Sequence, residues 1–396
     1  MNITVAPGDS LWAYMQTFQI PLQLLIDSNP NINPTQLVVG QNVQIPGFIS
    51  ETYEVQSGDN LWLISQYQNV NFQALLMMNR NVNPSQLSIG QRIILPRKVT
   101  WRVVQGKQNY TYEEFILNMR QLKYIYPFLR VFEIGQSVMG KAIPEIVVGS
   151  GSKRVHVNGS FHANEWITTP IIMTFLNDYL LAITNEQPIR GFNVLPYYQQ
   201  TLFSLVPMVN PDGVNLVING PPNEQPFRDQ VLQINNGRTN FSNWKANIRG
   251  VDLNNQFPAN WEIERERKEQ QPAPRDYPGR APLTEPEAVA MAELTGNRMF
   301  ERVLAFHTQG EVIYWGYEDL EPPEAETIVN EFARVSGYNP VQTIDSHAGY
   351  KDWFIQTWRR PGYTVELGEG INPLPITQFD EIYEESLGIF LANLYL

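Results

Sequence analysis

Gly159-Ser160-Phe161-His162-Ala163-Asn164-Glu165-Trp166 decides the reading of this chain, because it sets an imidazole and a carboxylate three residues apart in a loop. On one side, Val155-His156-Val157 has the β-branched pattern of a short buried strand; on the other, Thr168 to Leu181 has the apolar density of a helix. His162 and Glu165 therefore fall where a strand hands over to a helix, outside the carboxyl end of the strand, where open α/β sheets build their sites. Imidazole nitrogen and carboxylate oxygen are both zinc ligands, and an offset of three lets the two side chains converge. With 4 His and 40 acidic residues in 396, about 0.4 His-x-x-acid pairings arise by chance, so the pair takes its weight from its surroundings.

Those surroundings are bounded by composition. The length allows a sizeable core and more than one domain. A net charge of −12 works against nucleic acid or an anionic membrane surface as a main partner, since both require a basic footprint. The absence of cysteine excludes disulfides and thiolate sites, so any metal must be held by His and carboxylate. Met1-Asn2-Ile3-Thr4-Val5 has neither the basic start nor the apolar run of a secretory signal, and no uninterrupted apolar segment of membrane-spanning length is visible. The expectation is a soluble protein without a membrane partner, acting in the cytoplasm and reaching cell wall during sporulation or lysis.

Upstream, the chain repeats itself. Gly8-Asp9-Ser10-Leu11-Trp12 returns as Gly58-Asp59-Asn60-Leu61-Trp62, and Asn31-Ile32-Asn33-Pro34 as Asn81-Val82-Asn83-Pro84, at one offset of 50. Val39-Gly40-Gln41 before Ile45-Pro46 returns as Ile89-Gly90-Gln91 before Leu95-Pro96. Shared landmarks at one offset mark two copies of one unit, 1–48 and 51–97. In each, a short strand, a Gly-Asp turn, two helices and a strand ending at proline follow one another. The pattern resembles the LysM module, a small βααβ domain that binds N-acetylglucosamine-containing glycans. The resemblance puts the sugar between the first turn and the loop after the second helix. The matching positions are Gly8, Asp9, Asn29 and Ile32 in one copy and Gly58, Asp59, Asn79 and Val82 in the other.

Arg97 to Gln108 reads as a linker into a third region, 108–396. Thr111-Tyr112-Glu113-Glu114 is a capping box opening a helix, and short strands then alternate with helices. The class is α/β, with a mostly parallel or mixed sheet covered on both faces. Asn210 to Pro282 reads as long and irregular, and Thr284-Glu285-Pro286-Glu287 as the cap of another helix. His307 ends the apolar run Val303 to Phe306, just as His162 follows a strand, so both reach one edge of the sheet. Glu366 ends a further run, Tyr363-Thr364-Val365, where an unpaired carboxylate is costly.

In this region the chain resembles the zinc carboxypeptidases of the carboxypeptidase A type, over roughly residues 110–396. The matching signatures are Gly135-Gln136-Ser137 with Gly140-Lys141, then His162-Ala163-Asn164-Glu165, Asn210-Pro211-Asp212-Gly213 and Gly250-Val251-Asp252-Leu253-Asn254. They continue with Glu285-Pro286-Glu287, His307, Asp352-Trp353 and Thr364-Val365-Glu366-Leu367-Gly368. The resemblance implies an α/β/α domain with one Zn2+ per chain on His162, Glu165 and His307, and Glu366 as general base. It also implies a cation for the oxyanion shortly before Asp252. Lys245 and Arg249 are both candidates: spacing favours the first, the forked guanidinium the second.

Two departures narrow the substrate. The family's Asp-x-Asn-Arg, whose last two residues clamp a terminal carboxylate, here reads Asp252-Leu253-Asn254-Asn255: Asn254 is kept and the arginine is lost. Where the family has a mobile tyrosine, this chain offers His347 or Tyr350, or nothing. With the tandem LysM repeats, these features are similar to the branch that cuts γ-D-glutamyl–diamino acid (meso-diaminopimelate) bonds in peptidoglycan stem peptides. The competing expectations are a metallocarboxypeptidase releasing a terminal residue, and a glycan-binding protein with an inert peptidase domain. Oligomeric state is not legible.

Overall fold

Both Gly-Asp turns lead into a capping side chain: Ser10 accepts the Ala13 N–H, Asn60 accepts the Leu63 N–H, and a helix starts at once. The computed structural model describes residues 1–84 and 86–396. Its first repeat runs β1 (Asn2–Thr4), α1 (Leu11–Phe18), α2 (Leu22–Asp27) and β2 (Asn42–Gln44). The second runs β3 (Phe48–Glu54), α3 (Leu61–Tyr67), α4 (Phe72–Met78) and β4 (Arg92–Lys98). The outer strands pair antiparallel, Ile3 opposite Val43 and Tyr53 opposite Ile93, so the expected βααβ unit is present twice. Leu11, Tyr14, Leu24 and Leu25 fill the first small core, and Leu61, Ile64 and Leu75 the second. The copies also touch. Arg80, in the loop after α4, places Nη1 and Nη2 2.7 and 2.8 Å from the Asp9 carboxylate in the turn before α1.

Next come α5 (Tyr112–Ile125), β5 (Arg130–Gln136), β6 (Ala142–Val148), β7 (Lys153–Gly159), α6 (Thr168–Asn185), α7 (Leu195–Gln200) and β8 (Thr201–Val206). Four helices follow: α8 (Pro211–Asn219), α9 (Phe227–Ile234), α10 (Trp261–Arg267) and α11 (Pro286–Arg298). The chain closes with β9 (Arg302–His307), β10 (Val312–Tyr314), α12 (Glu324–Ser336), β11 (Asn339–Val341), α13 (Tyr350–Trp358), β12 (Gly362–Glu366) and α14 (Phe379–Tyr395). One eight-stranded sheet has the order β11-β10-β12-β9-β7-β8-β6-β5. Its four middle strands, β12, β9, β7 and β8, are parallel, while β10 and β6 run antiparallel to β12 and β8, so the sheet is mixed. Every residue of β9 is buried, as expected of a strand covered on both faces. By contacts the described residues form two compact units. One is Met1–Val103 with Asn118–Arg130 and Asn177–Pro196; the other is Val104–Leu117 with Val131–Leu176 and Tyr197–Leu396.

Two expectations need correction. The stretch from Asn210 to Pro282 holds α8, α9 and α10; Asn210 starts α8 by accepting the Gly213 N–H, with Pro211 in the first turn. Thr284 does not cap α11: Glu285 holds that position without a side-chain bond, and Thr284 Oγ1 lies 3.0 Å from Gln256 Oε1 instead. Ala163–Asn185 is long and apolar enough by composition to cross a membrane, but Glu165 and Asp178 interrupt it and 89% of its apolar window is buried, which is the pattern of a core helix.

Candidate metal centre

The parallel strands bring the site together at their carboxyl ends. β7 ends at Gly159 and continues through His162 into the short 3-10 turn Ala163–Glu165; β9 ends on His307, and β12 ends on Glu366, opposite His307 in the register. His162 Nδ1 lies 2.9 Å from Glu165 Oε1. His307 Nδ1 lies 2.9 Å from Glu165 Oε2 and 3.0 Å from His162 Nδ1. All three residues are buried, with their ligand atoms within 4.8 Å of one another. Two lone-pair nitrogens at 3.0 Å repel unless a proton or a cation stands between them. Imidazole nitrogens bound tetrahedrally at 2.0–2.1 Å from one ion would be roughly 3.3 Å apart. The spacing and the His, Glu, His donor set therefore fit zinc, with three protein ligands and one position open.

Behind the ligands stands a charged frame. His162 Nε2 lies 3.2 Å from Asp252 Oδ1, the carboxylate–imidazole pairing that fixes ring orientation at metal sites. Asp252 Oδ2 is 3.3 Å from Lys245 Nζ, and Asp252 Oδ1 also accepts the Asn254 N–H. Burial alone would raise the Asp252 carboxyl, but Lys245, His162 and Lys268 together hold it well below the usual range. Burial would likewise raise Glu165, and the two imidazoles override it, keeping the carboxylate ionised as a ligand must be. For Glu366 burial prevails: against the pull of His307 and Lys245, and helped by repulsion from Glu165, its carboxyl is pushed up to about 7.

The remaining expected residues separate. Lys245 stands beside Asp252, and its charge acts on Glu165 and Glu366. Arg249 turns elsewhere: its half-exposed guanidinium pairs with Glu285 at 3.4 Å. Asn254 Oδ1 accepts the Tyr350 N–H. Asn255 is buried; its Nδ2 donates to the Asn254 and His347 carbonyls and its Oδ1 accepts from Lys268 at 2.8 Å. His347 Nδ1 lies 3.0 Å from the Tyr317 hydroxyl. Tyr350 cannot serve as a mobile tyrosine, because its ring is buried among Phe161, Phe257 and Trp353 and its hydroxyl is 2.8 Å from Thr295 Oγ1. Asp252 and Lys268 were not singled out from the sequence. The first had a signal, an acid inside Gly250-Val251-Asp252-Leu253-Asn254; the second had none.

In the repeats, Gly8 and Gly58 make the turns at φ +88° and +87°, where a side chain would be strained. Asp9 and Asp59 tie those turns, accepting the Ala6 and Gln56 N–H groups. Asn29 and Asn79 act as internal braces. Each is buried and hydrogen-bonds both the end of its helix and the closing strand, Leu25 and Gln44 in one copy, Leu75 and Ile94 in the other. Val82 packs on the second core, and Ile32 is half-buried. His156 takes no part in the metal centre. It lies 3.0 Å from Ser204 Oγ, which donates to Glu145, but the ring is fully buried against Phe300 and burial lowers it to about 3. No substrate can reach that Ser–His–Glu array.

Comparison with known proteins agrees with this geometry. A family described as zinc carboxypeptidase matches residues 117–387, and one described as LysM domain matches residues 3–46 and 53–96. The chain is 66% identical over 396 residues, the whole of both chains, to gamma-D-glutamyl-L-diamino acid endopeptidase 1 of Lysinibacillus sphaericus. It is 49% identical over 275 residues to the uncharacterized protein YqgT of Bacillus subtilis, covering 68% of this chain and 73% of that one. Among solved structures, bovine thrombin-activatable fibrinolysis inhibitor in complex with tick carboxypeptidase inhibitor aligns with TM-score 0.59 at 17% identity, over 73% of this chain and 97% of that one. Carboxypeptidase A from Helicoverpa armigera aligns with TM-score 0.55 at 17% identity, over 88% and 98%. These two likenesses concern the fold.

Proposed function

The chain belongs to the zinc carboxypeptidase family, and on that premise we propose that it hydrolyses the γ-D-glutamyl–diamino acid bond of peptidoglycan stem peptides, using one zinc per chain. Its full-length similarity to the Lysinibacillus sphaericus endopeptidase carries the substrate class. The reaction type rests on His162, Glu165, His307 and Glu366 at one sheet edge.

His162, Glu165 and His307 would hold the ion, and Asp252 keeps the His162 ring turned toward it. Zinc in such a site supplies a Lewis acid and a water of lowered pKa. Glu366, partly buried and with its carboxyl near 7, is matched to taking the proton of the attacking water at neutral pH and handing it to the leaving amine. Lys245, its side chain only 20% exposed, presents a fixed positive charge to the oxyanion of the tetrahedral intermediate. Asn255, standing after Asn254 where the family carries its carboxylate-clamping arginine, supplies no guanidinium fork.

The LysM modules would bind N-acetylglucosamine-containing glycan and raise the local concentration of stem peptide at the metal centre. Trp12 and Trp62, 64% and 56% exposed at matching positions, offer flat aromatic faces for sugar rings. Mass spectrometry of products from L-Ala-γ-D-Glu-diaminopimelate and its D-alanine-extended form tests the reading. L-Ala-D-Glu should appear from both and vanish with a chelator. Release of D-alanine alone, with the γ-glutamyl bond intact, rejects it.

A further inference from the structure

Lys245 is not the only ammonium beside the frame of the metal centre. Lys268, just beyond the end of α10, places Nζ 2.8 Å from Asn255 Oδ1 and 3.1 Å from Glu264 Oε2. Asn255 is joined to Asp252 through its own N–H, 3.0 Å from the Asp252 carbonyl, so Lys268 is braced on the turn that carries the partner of His162. Glu264, whose side chain is fully buried, is already taken by Arg267 Nη2 at 2.6 Å and by the His347 N–H at 2.6 Å. An ammonium carries three donors. Asn255 and Glu264 account for two, and the third has no protein acceptor among the described residues. The side chain is 23% exposed and lies on the wall of a shallow open groove that it shares with Arg267 and Glu269. Asp276, on the same wall, stands 3.8 Å from Lys245 Nζ. Asp276 thus links the groove to Lys245, and the charges of both lysines act on Asp252.

A γ-glutamyl–diamino acid peptide has carboxylates on both sides of the scissile bond. The glutamyl residue, joined through its side chain, keeps a free α-carboxylate, and the diamino acid brings its own. We propose that Lys268 is a specificity residue that receives one of these carboxylates, with Asn255 and Glu264 as the residues that position it. The assignment rests on the proposed function and deepens it. A compact ammonium suits the role, since it accepts a carboxylate from a range of directions, unlike a guanidinium fork. Asn255 is then no substitute clamp; it is the brace of a cation supplied from thirteen residues further along.

The test compares wild type, Lys268→Met and Lys268→Arg on three peptides: L-Ala-γ-D-Glu-diaminopimelate, its glutamyl α-carboxamide and its diaminopimelate α-carboxamide. On the parent peptide, Lys268→Met should raise KM on the order of 10- to 100-fold with little change in kcat, and Lys268→Arg should recover part of it. On the one carboxamide that removes the partner of Lys268, wild type and Lys268→Met should have equal KM; which carboxamide this is names the carboxylate. Zinc content and urea midpoint show that the variant is folded and loaded. A wild-type KM for Lys268→Met on the parent, or an equal loss on all three peptides, overturns the assignment. A wild-type enzyme that leaves all three intact overturns the proposed function, and this assignment with it.

Discussion

Asp252→Asn isolates what a negative charge behind His162 contributes to the metal centre. The amide can keep an oxygen at Oδ1, 3.2 Å from His162 Nε2, so ring orientation is largely preserved. What disappears is the charge that makes the imidazole a better donor, and with it the close partner of Lys245 Nζ at 3.3 Å, leaving that lysine Asp276 at 3.8 Å and the more distant charge of Glu165. Partners behind metal-binding histidines are typically worth 10- to 100-fold in metal affinity, or about 1.4–2.7 kcal/mol. Because the Asp252 side chain is wholly buried, water does not screen the lost charge, and the upper half of that range is expected. Competition between apoprotein and a chromophoric chelator for zinc gives the number directly. Asp276→Asn is the control: it weakens the same lysine without touching His162, and should leave zinc affinity unchanged. Equal affinity for Asp252→Asn and wild type, or an equal loss in Asp276→Asn, would refute the reasoning.

Glu366→Gln should retain zinc and substrate binding while kcat drops on the order of 10²- to 10⁴-fold, since an amide cannot carry the proton; near-normal turnover moves the base elsewhere. Lys245→Met should lower kcat on the order of 10²- to 10³-fold with zinc retained, and Arg249→Met should change it less than about twofold. The reverse pattern would restore the role to Arg249. Glu287 is fully buried, and burial raises its carboxyl from 4.5 to about 7. With the folded pKa above the unfolded one, the native state keeps its proton longer. Stability from this group is therefore full below pH 4.5 and is lost as pH rises to about 7, by roughly 3 kcal/mol in all. In urea unfolding, Glu287→Gln should match wild type near pH 4.5 and exceed it by roughly that amount at pH 8; a pH-independent difference rejects the account.

The repeats were legible because four landmarks recur at one offset, and their fold depends on local chemistry: the Ser10 and Asn60 caps and the left-handed glycines. The strand-end positions of His162, His307 and Glu366 were legible because buried parallel strands are short β-branched runs whose last residue is conspicuous when it ionises. The choice between Lys245 and Arg249 was not. Four residues of sequence do not show that one side chain returns to Asp252 while the other pairs with Glu285 across 36 residues. The internal bonds of Asn29 and Asn79 were hidden for a related reason: an asparagine in a turn signal looks solvent-facing until the strand fifteen residues on is seen to close over it. Helices α9 and α10 were hidden by polar composition, which a surface helix shares with a loop, and α8 by its Asn210-Pro211-Asp212-Gly213 opening, which reads as a turn.

The contact between Arg80 and Asp9 has a polarity, since the loop of the later copy grips the turn of the earlier one. A joint of this head-to-tail kind has no internal reason to stop, and repeated faithfully it would string copies into an open row. Neither half of the joint recurs in kind. The place of Arg80 in the first copy belongs to Pro30, which offers no side-chain donor. The counterpart of Asp9 in the second copy, Asp59, accepts from the hydroxyls of Tyr53 and Tyr67. Two copies of one unit thus share a framework while the residues at their mutual contact do different work in each.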